Sequence, residues 1–194
     1  MKTEITRDDL MPMAEYTAVR IERRKRISEI KKHRRVHVGP DATFYFECYE
    51  TMWHQIQEML YIEGGGDEQV ADELTAYNPL VPNGSELVAT LMFEIDDPDR
   101  RAAFLAGLGG VEETVTINLG GQTVSAVPET DVDRTTADGK ASSIQFLHFP
   151  FNLEQISLFR QPGTQVTLGI GHAKYGHIAI MSENVQAALS GDFA

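Results

Sequence analysis

The sequence has a single cysteine, Cys48, among its 194 residues. An internal disulfide is therefore excluded, and a lone thiol suits a reducing compartment. No segment approaches the roughly 18 consecutive apolar residues that a membrane-spanning helix needs. The first ten residues, MKTEITRDDL, also lack the apolar stretch of a secretory signal peptide. We therefore expect a cytoplasmic protein that does not bind a membrane.

Signatures of several large enzyme classes are also missing. The chain contains no P-loop, no G-x-S-x-G elbow, no H-E-x-x-H motif and no paired C-x-x-C. The glycines within 107–110 are too closely spaced, and lie too late in their predicted helix, to form a dinucleotide-binding fingerprint. These absences exclude the classes that such motifs define, and they leave open whether the protein is an enzyme.

The composition is that of a globular protein, with 42% hydrophobic and 24% charged residues. A chain of this length can bury a sizeable core, so we predict a single domain over residues 1–194. Segments with helical and with alternating periodicity are interspersed, and two alternating runs meet at Gly120-Gly121, which predicts a β-hairpin. The polar residues 129–140 are predicted to form a mobile loop. The fold class is α+β: an antiparallel or mixed sheet with covering helices and a long basic N-terminal helix.

An N-terminal helical arm is predicted over residues 7–33. Thr6 is a suitable N-cap, and acidic residues follow it in the first turn. Pro12 is either tolerated near the start of one helix or breaks the arm into two segments. A sparse apolar stripe then continues at three- and four-residue steps. The narrow stripe and the dense charge place the arm on the surface of the fold.

The net charge of −12 is unevenly distributed. From Arg20 to Arg35 the chain has nine Lys or Arg residues and two glutamates, a charge of +7, so the remainder carries −19. We interpret this segment as a basic helix that packs along an acidic surface, either its own or that of a partner protein. Nucleic-acid binding is disfavoured because the acidic remainder would repel phosphates. The residues predicted to bind a partner are Arg20, Arg23, Arg24, Lys25, Arg26, Lys31, Lys32, Arg34 and Arg35.

Residues 46–60, FECYETMWHQIQEML, are predicted to form an amphipathic helix. On a helical wheel Glu50 and His54 lie nearly opposite the apolar face, so we expect them to form a solvent-facing pair. Chelation of a metal by a histidine and a carboxylate four residues apart is the alternative. Cys48 is predicted to be a buried, inert thiol.

Thr51, Gln55 and Glu58 border the apolar face of the same helix, where half-buried polar groups need hydrogen-bond partners. Glu58 is expected to form an ion pair with Arg34 or Arg35, or to line a pocket. A second candidate site is the segment 169–177, GIGHAKYGH. Its glycines permit close backbone approach. Its side chains that can titrate or form hydrogen bonds are His172, Tyr175 and His177. No spacing here matches a zinc signature, and a structural role is the alternative.

Several short pieces of the chain, spread over its whole length, together form a recognisable sequence pattern. They are Ile5–Leu10, Arg34–Val36, Gly39-Pro40, Phe46-Glu47, Thr51, Gln55, Glu58-Met59, Glu63, Ala76–Pro82, Ala89–Met92, His172 and Tyr175. In combination they resemble the bacterial domain-of-unknown-function 3501 family. The resemblance implies a small cytoplasmic protein, of a family often encoded beside rubrerythrin-like and iron–sulfur cluster-binding proteins, and this association implies a role near peroxide or oxygen stress without supplying a mechanism.

The chain departs from the family pattern at four positions. It has His54, Tyr61, Gln145 and His148 where the resemblance leads us to expect tyrosine, arginine, histidine and arginine. These departures count against a site that requires His54 or His148. The site residues that the resemblance favours are Glu47, Gln55, Glu58, His172 and Tyr175.

Three functions follow as hypotheses. The first is an accessory protein that acts with a rubrerythrin-like or iron–sulfur redox partner in oxidative-stress defence. The second is a metal-binding protein or enzyme with a Glu/His/Tyr pocket, in which Glu58 and His172 hold iron, manganese or zinc. The third is nucleic-acid binding through the basic helix. The oligomeric state stays open, a homo-oligomer included.

Overall fold

The computed structural model describes residues 2–129, 135–136 and 139–194. Short 3-10 turns occur at Arg7–Asp9, Asn78–Leu80 and Val111–Thr114. None of the helices in the described residues is long and apolar enough to cross a membrane. These helices are α1 (Met13–Lys32), α2 (Tyr49–Glu63), α3 (Gly66–Tyr77), α4 (Pro98–Leu105), α5 (Leu153–Arg160) and α6 (Glu183–Ser190).

The strands form two antiparallel sheets. The first sheet has the order β1-β2-β3-β7-β6 and the second the order β5-β4-β8-β9. The α+β class is thus confirmed, but the strands are divided between two sheets where one was predicted. The strands are β1 (Arg35–Val38), β2 (Ala42–Phe46), β3 (Glu86–Phe93), β4 (Val115–Leu119), β5 (Gln122–Ser125), β6 (Val127–Pro128), β7 (Ile144–Pro150), β8 (Val166–His172) and β9 (Tyr175–Ile180).

The main core lies between the two sheets. Alternate residues of each strand point into it, as period-2 side-chain geometry requires. Val36, Phe44 and Leu147 enter it from the first sheet, and Ile117 and Leu168 from the second, all within one buried cluster. Side chains of three helices complete this core: Leu105 of α4, Phe159 of α5 and Leu189 of α6 belong to the same buried cluster.

The opposite face of the first sheet is covered by α2. Met52, Ile56 and Leu60 of α2 form a second buried cluster with Val88 of β3. The helix α1 lies outside α2. The ring of Tyr16 on α1 meets the rings of Trp53 and Tyr61 on α2 edge-on, with centroid separations of 6.1 and 6.2 Å. The layers in order are therefore α1, α2, the first sheet, the main core and the second sheet.

The predicted N-terminal arm of residues 7–33 is divided in the structure. Arg7–Asp9 form a separate 3-10 turn, in which the backbone N–H of Thr6 donates to the Asp9 carboxylate over 2.9 Å. Pro12 immediately precedes α1, which begins at Met13 and ends at Lys32. Because proline lacks an N–H, it is tolerated at this position and marks the break between the two segments.

The predicted hairpin at Gly120-Gly121 is confirmed. Both glycines have positive φ, 54° and 81°, which suits a two-residue turn between antiparallel strands. The glycine-rich segment 169–177 belongs to a second hairpin, β8–β9, whose second strand the sequence did not predict. The predicted loop of residues 129–140 lies largely outside the described residues.

Candidate functional site

The helix α1 is held on α2 by a polar network at its first half. Of the described residues of α1, only Tyr16 is buried. Its hydroxyl donates to one oxygen of Glu58 over 2.6 Å and lies 3.3 Å from Nδ1 of His54. Arg20 binds both Glu58 oxygens, through Nε and Nη2, each over 2.8 Å. This bidentate pair fixes the rotation of α1 about its axis.

This network corrects two predictions about α2. Glu50 and His54 were expected to form a solvent-facing pair, but α1 covers His54, and burial lowers the pKa of its imidazole. Glu58 was expected to pair with Arg34 or Arg35. It pairs with Arg20, whose hydrogen bonds lower the pKa of the carboxyl to about 2. The same carboxylate, together with burial, raises the pKa of Tyr16.

A cleft of about 300 Å³ opens between α1 and α2 beyond this network. The guanidinium of Arg23 lies over the ring of Trp53 at 5.1 Å from its centroid. The indole N–H of Trp53 donates to the backbone carbonyl of Asp9 over 2.8 Å, which holds the ring in place. Side chains from both helices and from the N-terminal segment line the cleft: Lys2, Asp9, Met11, Arg23, Arg26, Ile27, Ile30, Tyr49, Glu50, Trp53 and His54.

The cleft combines aromatic and aliphatic walls with arginines on the α1 side. Guanidinium groups bind carboxylates in a planar, two-pronged geometry, and the aromatic floor can receive an apolar side chain. Lys2 does not add to this positive side, because it is paired with Asp9. The arrangement suits a partner that presents acidic groups next to an apolar anchor.

Four consecutive cations occupy the middle of α1. No Asp or Glu among the described residues forms an ion pair with any of them. Arg23 stacks on Trp53, and the other three side chains are exposed. The four are Arg23, Arg24, Lys25 and Arg26. Three of the four charges therefore face solvent, and none of the four is neutralised by a carboxylate of the described residues.

The structure divides the other residues that were predicted to bind a partner. Arg20 is engaged with Glu58, and Lys32 is exposed and paired with Glu29 one turn earlier. Lys31 is half-buried, and Arg35 is exposed with its guanidinium over the ring of Tyr45. The exposed positions from this set remain predicted partner contacts, whereas Arg20 has a structural role.

Arg34 is the clearest correction to the predicted partner surface. It is 6% exposed and ion-paired with Asp192 next to the C-terminus. Its Nε donates to the carbonyl of Phe46 over 2.9 Å, and its Nη2 to the carbonyl of Glu47 over 2.8 Å. Cys48 follows directly, is buried as predicted, and has a thiol pKa that burial raises. Arg34 therefore joins the start of α2 to the C-terminal segment and is not available to a partner.

The five residues favoured as a pocket lie in separate places. Glu47 accepts hydrogen bonds from the hydroxyls of Thr51 and Thr90, over 2.7 and 2.8 Å, in the interior between β2 and α2. Gln55 is half-buried on α2, with Nε2 lying 3.5 Å from the hydroxyl of Tyr77. These residues have structural partners within the outer helical layer and its junction with the first sheet.

Tyr175 has a structural role at the edge of the second sheet. Its hydroxyl accepts from the backbone N–H groups of Asp41 and Ala42, over 2.9 and 3.0 Å, and donates to the carbonyl of Val38 over 2.8 Å. It thereby holds the β1–β2 turn against β9. His172 ends β8, and its Nδ1 accepts from the backbone N–H of Lys174 over 3.2 Å.

The structure does not bring Glu58 and His172 together. Glu58 lies on α2 outside the first sheet, whereas His172 belongs to the second sheet, so the first sheet stands between them. Both Glu58 oxygens already accept hydrogen bonds, from Tyr16 and Arg20. In the part of the chain that the structure describes, no group of three or more His, Cys, Asp or Glu side chains is arranged to hold a metal ion.

His148 bridges two carboxylates on the first sheet. Its Nδ1 lies 3.1 Å from Glu86 and its Nε2 lies 3.4 Å from Glu129. Both contacts need an N–H donor, so the pair of carboxylates favours the imidazolium ion. The hydrogen bond to Glu86 raises the pKa of His148 despite burial. The imidazolium form of His148 would supply the positive charge of the arginine that the family pattern leads us to expect at this position.

We expect this bridge to make the free energy of unfolding depend on pH. Because the folded-state pKa of His148 lies above its usual value, the bridge stabilises the protein fully below about pH 6.5, and this stabilisation is lost as the pH rises through the folded-state pKa. His148→Arg keeps the charge at every pH, so it should flatten this part of the profile. Urea unfolding between about pH 6 and 8 measures both proteins.

The variant His33→Gln, which replaces an exposed histidine, is the control for the His148 bridge. It should leave the profile of the unmutated protein unchanged. Equal pH slopes for the unmutated protein and His148→Arg would show that the His148 bridge does not carry the effect.

The sequence did not single out three residues that organise this region: Tyr16, Trp53 and Asp192. Tyr16 belongs to the sparse apolar stripe of the predicted arm. Its phenol hydroxyl indicated that this stripe could also form a hydrogen bond. Trp53 lies within the predicted amphipathic helix, and in the structure it is half-buried and forms the cleft floor. Nothing in the local sequence pairs Asp192 with Arg34.

Fold and site together define a two-sheet α+β protein with a basic helix mounted over its first helical layer. The chain matches the family described as "Protein of unknown function (DUF3501)" over residues 4–193, nearly its whole length, and it belongs to that family. The resemblance inferred from the sequence is thereby confirmed. Comparison with curated proteins finds no match.

A solved structure shares the fold. It is the crystal structure of a novel protein of unknown function from Burkholderia pseudomallei, which is 34% identical in sequence. The two superpose with a TM-score of 0.91 over 98% of this chain and 99% of that one. The similarity extends over both whole chains.

Proposed function

We propose that this protein is a cytoplasmic accessory protein that binds an acidic partner through the exposed face of α1. The observation that carries the proposal is the run of four cations, Arg23 to Arg26, which form no ion pair with any described Asp or Glu in an otherwise acidic molecule. The class of partner we propose is a rubrerythrin-like or iron–sulfur redox protein in oxidative-stress defence.

The anchoring of α1 supports a binding role for its exposed face. Tyr16 and the Arg20–Glu58 pair hold one side of the helix, so the opposite side is presented in a single orientation. A surface that is ordered before binding loses less conformational entropy on association. The cleft beside Trp53 then offers a place for an apolar side chain of the partner next to the charged contacts.

Electrostatics favours a protein partner over nucleic acid. Outside Arg20–Arg35 the chain carries a net charge of −19, which repels a long polyphosphate such as nucleic acid. A small acidic patch on a partner protein can still dock on α1, because it contacts only the basic surface. Charged contacts of this kind mainly set the rate and specificity of association. The interaction should therefore weaken with salt.

We expect the double variant Lys25→Glu/Arg26→Glu to bind such a partner at least about tenfold more weakly at low ionic strength, or roughly 1.4 kcal/mol. The substitution removes two attractive charges and adds two repulsive ones. The difference should shrink as salt rises, because exposed charges are screened beyond roughly 8 Å at physiological ionic strength. Calorimetric titration against the rubrerythrin-like and iron–sulfur proteins encoded in the same genome measures the affinity.

The double variant Lys140→Glu/Lys174→Glu is a control with the same change in charge. Both lysines are exposed and lie away from α1, so this variant should bind like the unmutated protein. Equal weakening in both variants would point to net charge alone and contradict a specific α1 surface. Absence of binding to either protein class contradicts the proposed partner. Retention of duplex DNA at low salt, lost in the α1 variant, would support the nucleic-acid alternative instead.

A further inference from the structure

The outer face of the second sheet consists of the side chains of β4, β5, β8 and β9 that point away from the main core. The helix α5 contacts this sheet at β4, beside the β4–β5 turn, where Leu158 lies next to Gly120. At the opposite edge, Ile178 is 75% exposed and Ile180 is 64% exposed. These two neighbouring isoleucines form a small exposed apolar patch on one face of an edge strand.

The strand register shows what surrounds these isoleucines. Gly169 pairs with Ile178 on one side and with Thr116 on the other, and Thr167 occupies the same position between Ile180 and Asn118. On β5, Ser125 and Thr123 complete the two rows opposite Thr116 and Asn118. Each row thus runs from a hydroxyl side chain at one edge to an isoleucine at the other.

None of these outward-facing residues carries a charge. The chain has 17 basic and 29 acidic residues, yet the two rows across this face contain only Ile, Thr, Ser, Asn and Gly. Edge strands of soluble proteins are usually protected by charged side chains. The outward-facing positions of β9 are Gly176, Ile178 and Ile180, and they lack that protection.

We propose that this face is the contact surface of a symmetric homodimer, independently of the function proposed for α1. Each copy carries −12, so two copies repel over most of their surface, and an uncharged face is where they can approach with least repulsion. A two-fold dimer brings the same face of each copy together. Apolar and hydroxyl groups are compatible with their own copies in that geometry, whereas a charged patch would repel itself.

The shape of the face suits sheet-on-sheet packing. Gly171 and Gly176 leave one end of the face without side chains, and the side chain of Ile178 lies over Gly169, so a second sheet can approach to the usual separation of about 10 Å. Four strands at about 4.8 Å spacing and five residues of length give a face of roughly 300 Å². This is less than the about 800 Å² per partner of a standard interface. The dimer is therefore weak and depends on protein concentration.

Sedimentation equilibrium of the full chain from about 1 to 500 µM tests the proposal, since weak interfaces of this size assemble only at the upper end of such a range. The expected result is a rise in average mass from 21.6 kDa toward twice that value. Ile178→Lys should keep the mass at 21.6 kDa throughout, because it places like charges across the contact. Ser125→Lys, at the other edge of the face, should do the same. Both side chains are exposed, so the fold should be retained, and circular dichroism checks this.

Leu153→Lys is the matched control. Leu153 is 86% exposed on α5, outside the two rows, so adding a lysine there should leave the self-association of the unmutated protein intact. A constant mass of one chain for the unmutated protein at the highest concentration overturns the proposal. Dimers that survive both Ile178→Lys and Ser125→Lys overturn it equally, because they would use another surface.

Discussion

Arg34→Met is expected to lower the free energy of unfolding by about 3–5 kcal/mol, the usual effect of removing one partner of a buried ion pair. The substitution leaves the carboxylate of Asp192 buried without its counter-charge. It also removes the guanidinium N–H groups that donate to the backbone carbonyls of Phe46 and Glu47. Urea unfolding followed by circular dichroism measures the change.

Arg35→Met is the matched control for this prediction. Arg35 is the next residue in the chain, but it is exposed, and its guanidinium lies over the ring of Tyr45. Its replacement should change the free energy of unfolding by less than about 1 kcal/mol. A similar loss of unfolding free energy in both variants would mean that only the positive charge at the start of β1 matters. It would contradict a specific role for the Arg34–Asp192 ion pair.

Tyr16→Ala is expected to release α1 from α2 while the two-sheet core stays folded. Truncating a fully buried aromatic side chain costs about 3–5 kcal/mol, and Tyr16 is 0% exposed. Among the described residues of α1 no other side chain is buried, so the loss falls on this one helix. Most of the stability of a helix in a protein comes from its packing against the rest of the fold. The released segment should therefore fray.

Hydrogen–deuterium exchange measures this release. Amide protection over Met13–Lys32 should fall by roughly 100-fold or more, the ratio that corresponds to about 3 kcal/mol. Protection of strands β3 and β7 should be unchanged. Ile21→Ala is the control, since Ile21 is 75% exposed on the same helix. Equal loss of protection throughout the protein would contradict a local role for Tyr16.

The local elements were predictable because their signals lie within a few residues. The glycine pair at 120–121 provides the positive φ that the hairpin turn requires, and it was predicted on that ground. The side chain of Asn152 caps α5 by accepting from the N–H of Gln155, three residues later, over 2.9 Å. Such features depend on backbone geometry that the adjacent residues themselves determine.

The second candidate segment shows why the site was harder to predict than the strands. The glycines and His172 within 169–177 suggested a ligand site, but the register of β8 with β9 makes them part of a hairpin. Tyr175 reaches the β1–β2 turn, more than a hundred residues earlier in the chain. A hydrogen bond of that sequence separation leaves no periodic trace in the sequence.

The sequence by itself determined the family, the α+β class, the concentration of basic charge in the N-terminal helix, and most local elements. Only the tertiary structure decided what covers each face. A helical wheel describes one helix, so it turned both Glu50, which is exposed, and His54 toward solvent. In the structure α1 lies over His54, and Glu58 pairs with Arg20, 38 residues away. Likewise, one arginine of the basic segment, Arg34, became a buried internal pair. Charge and periodicity are properties of the chain, whereas burial depends on which distant element packs against it.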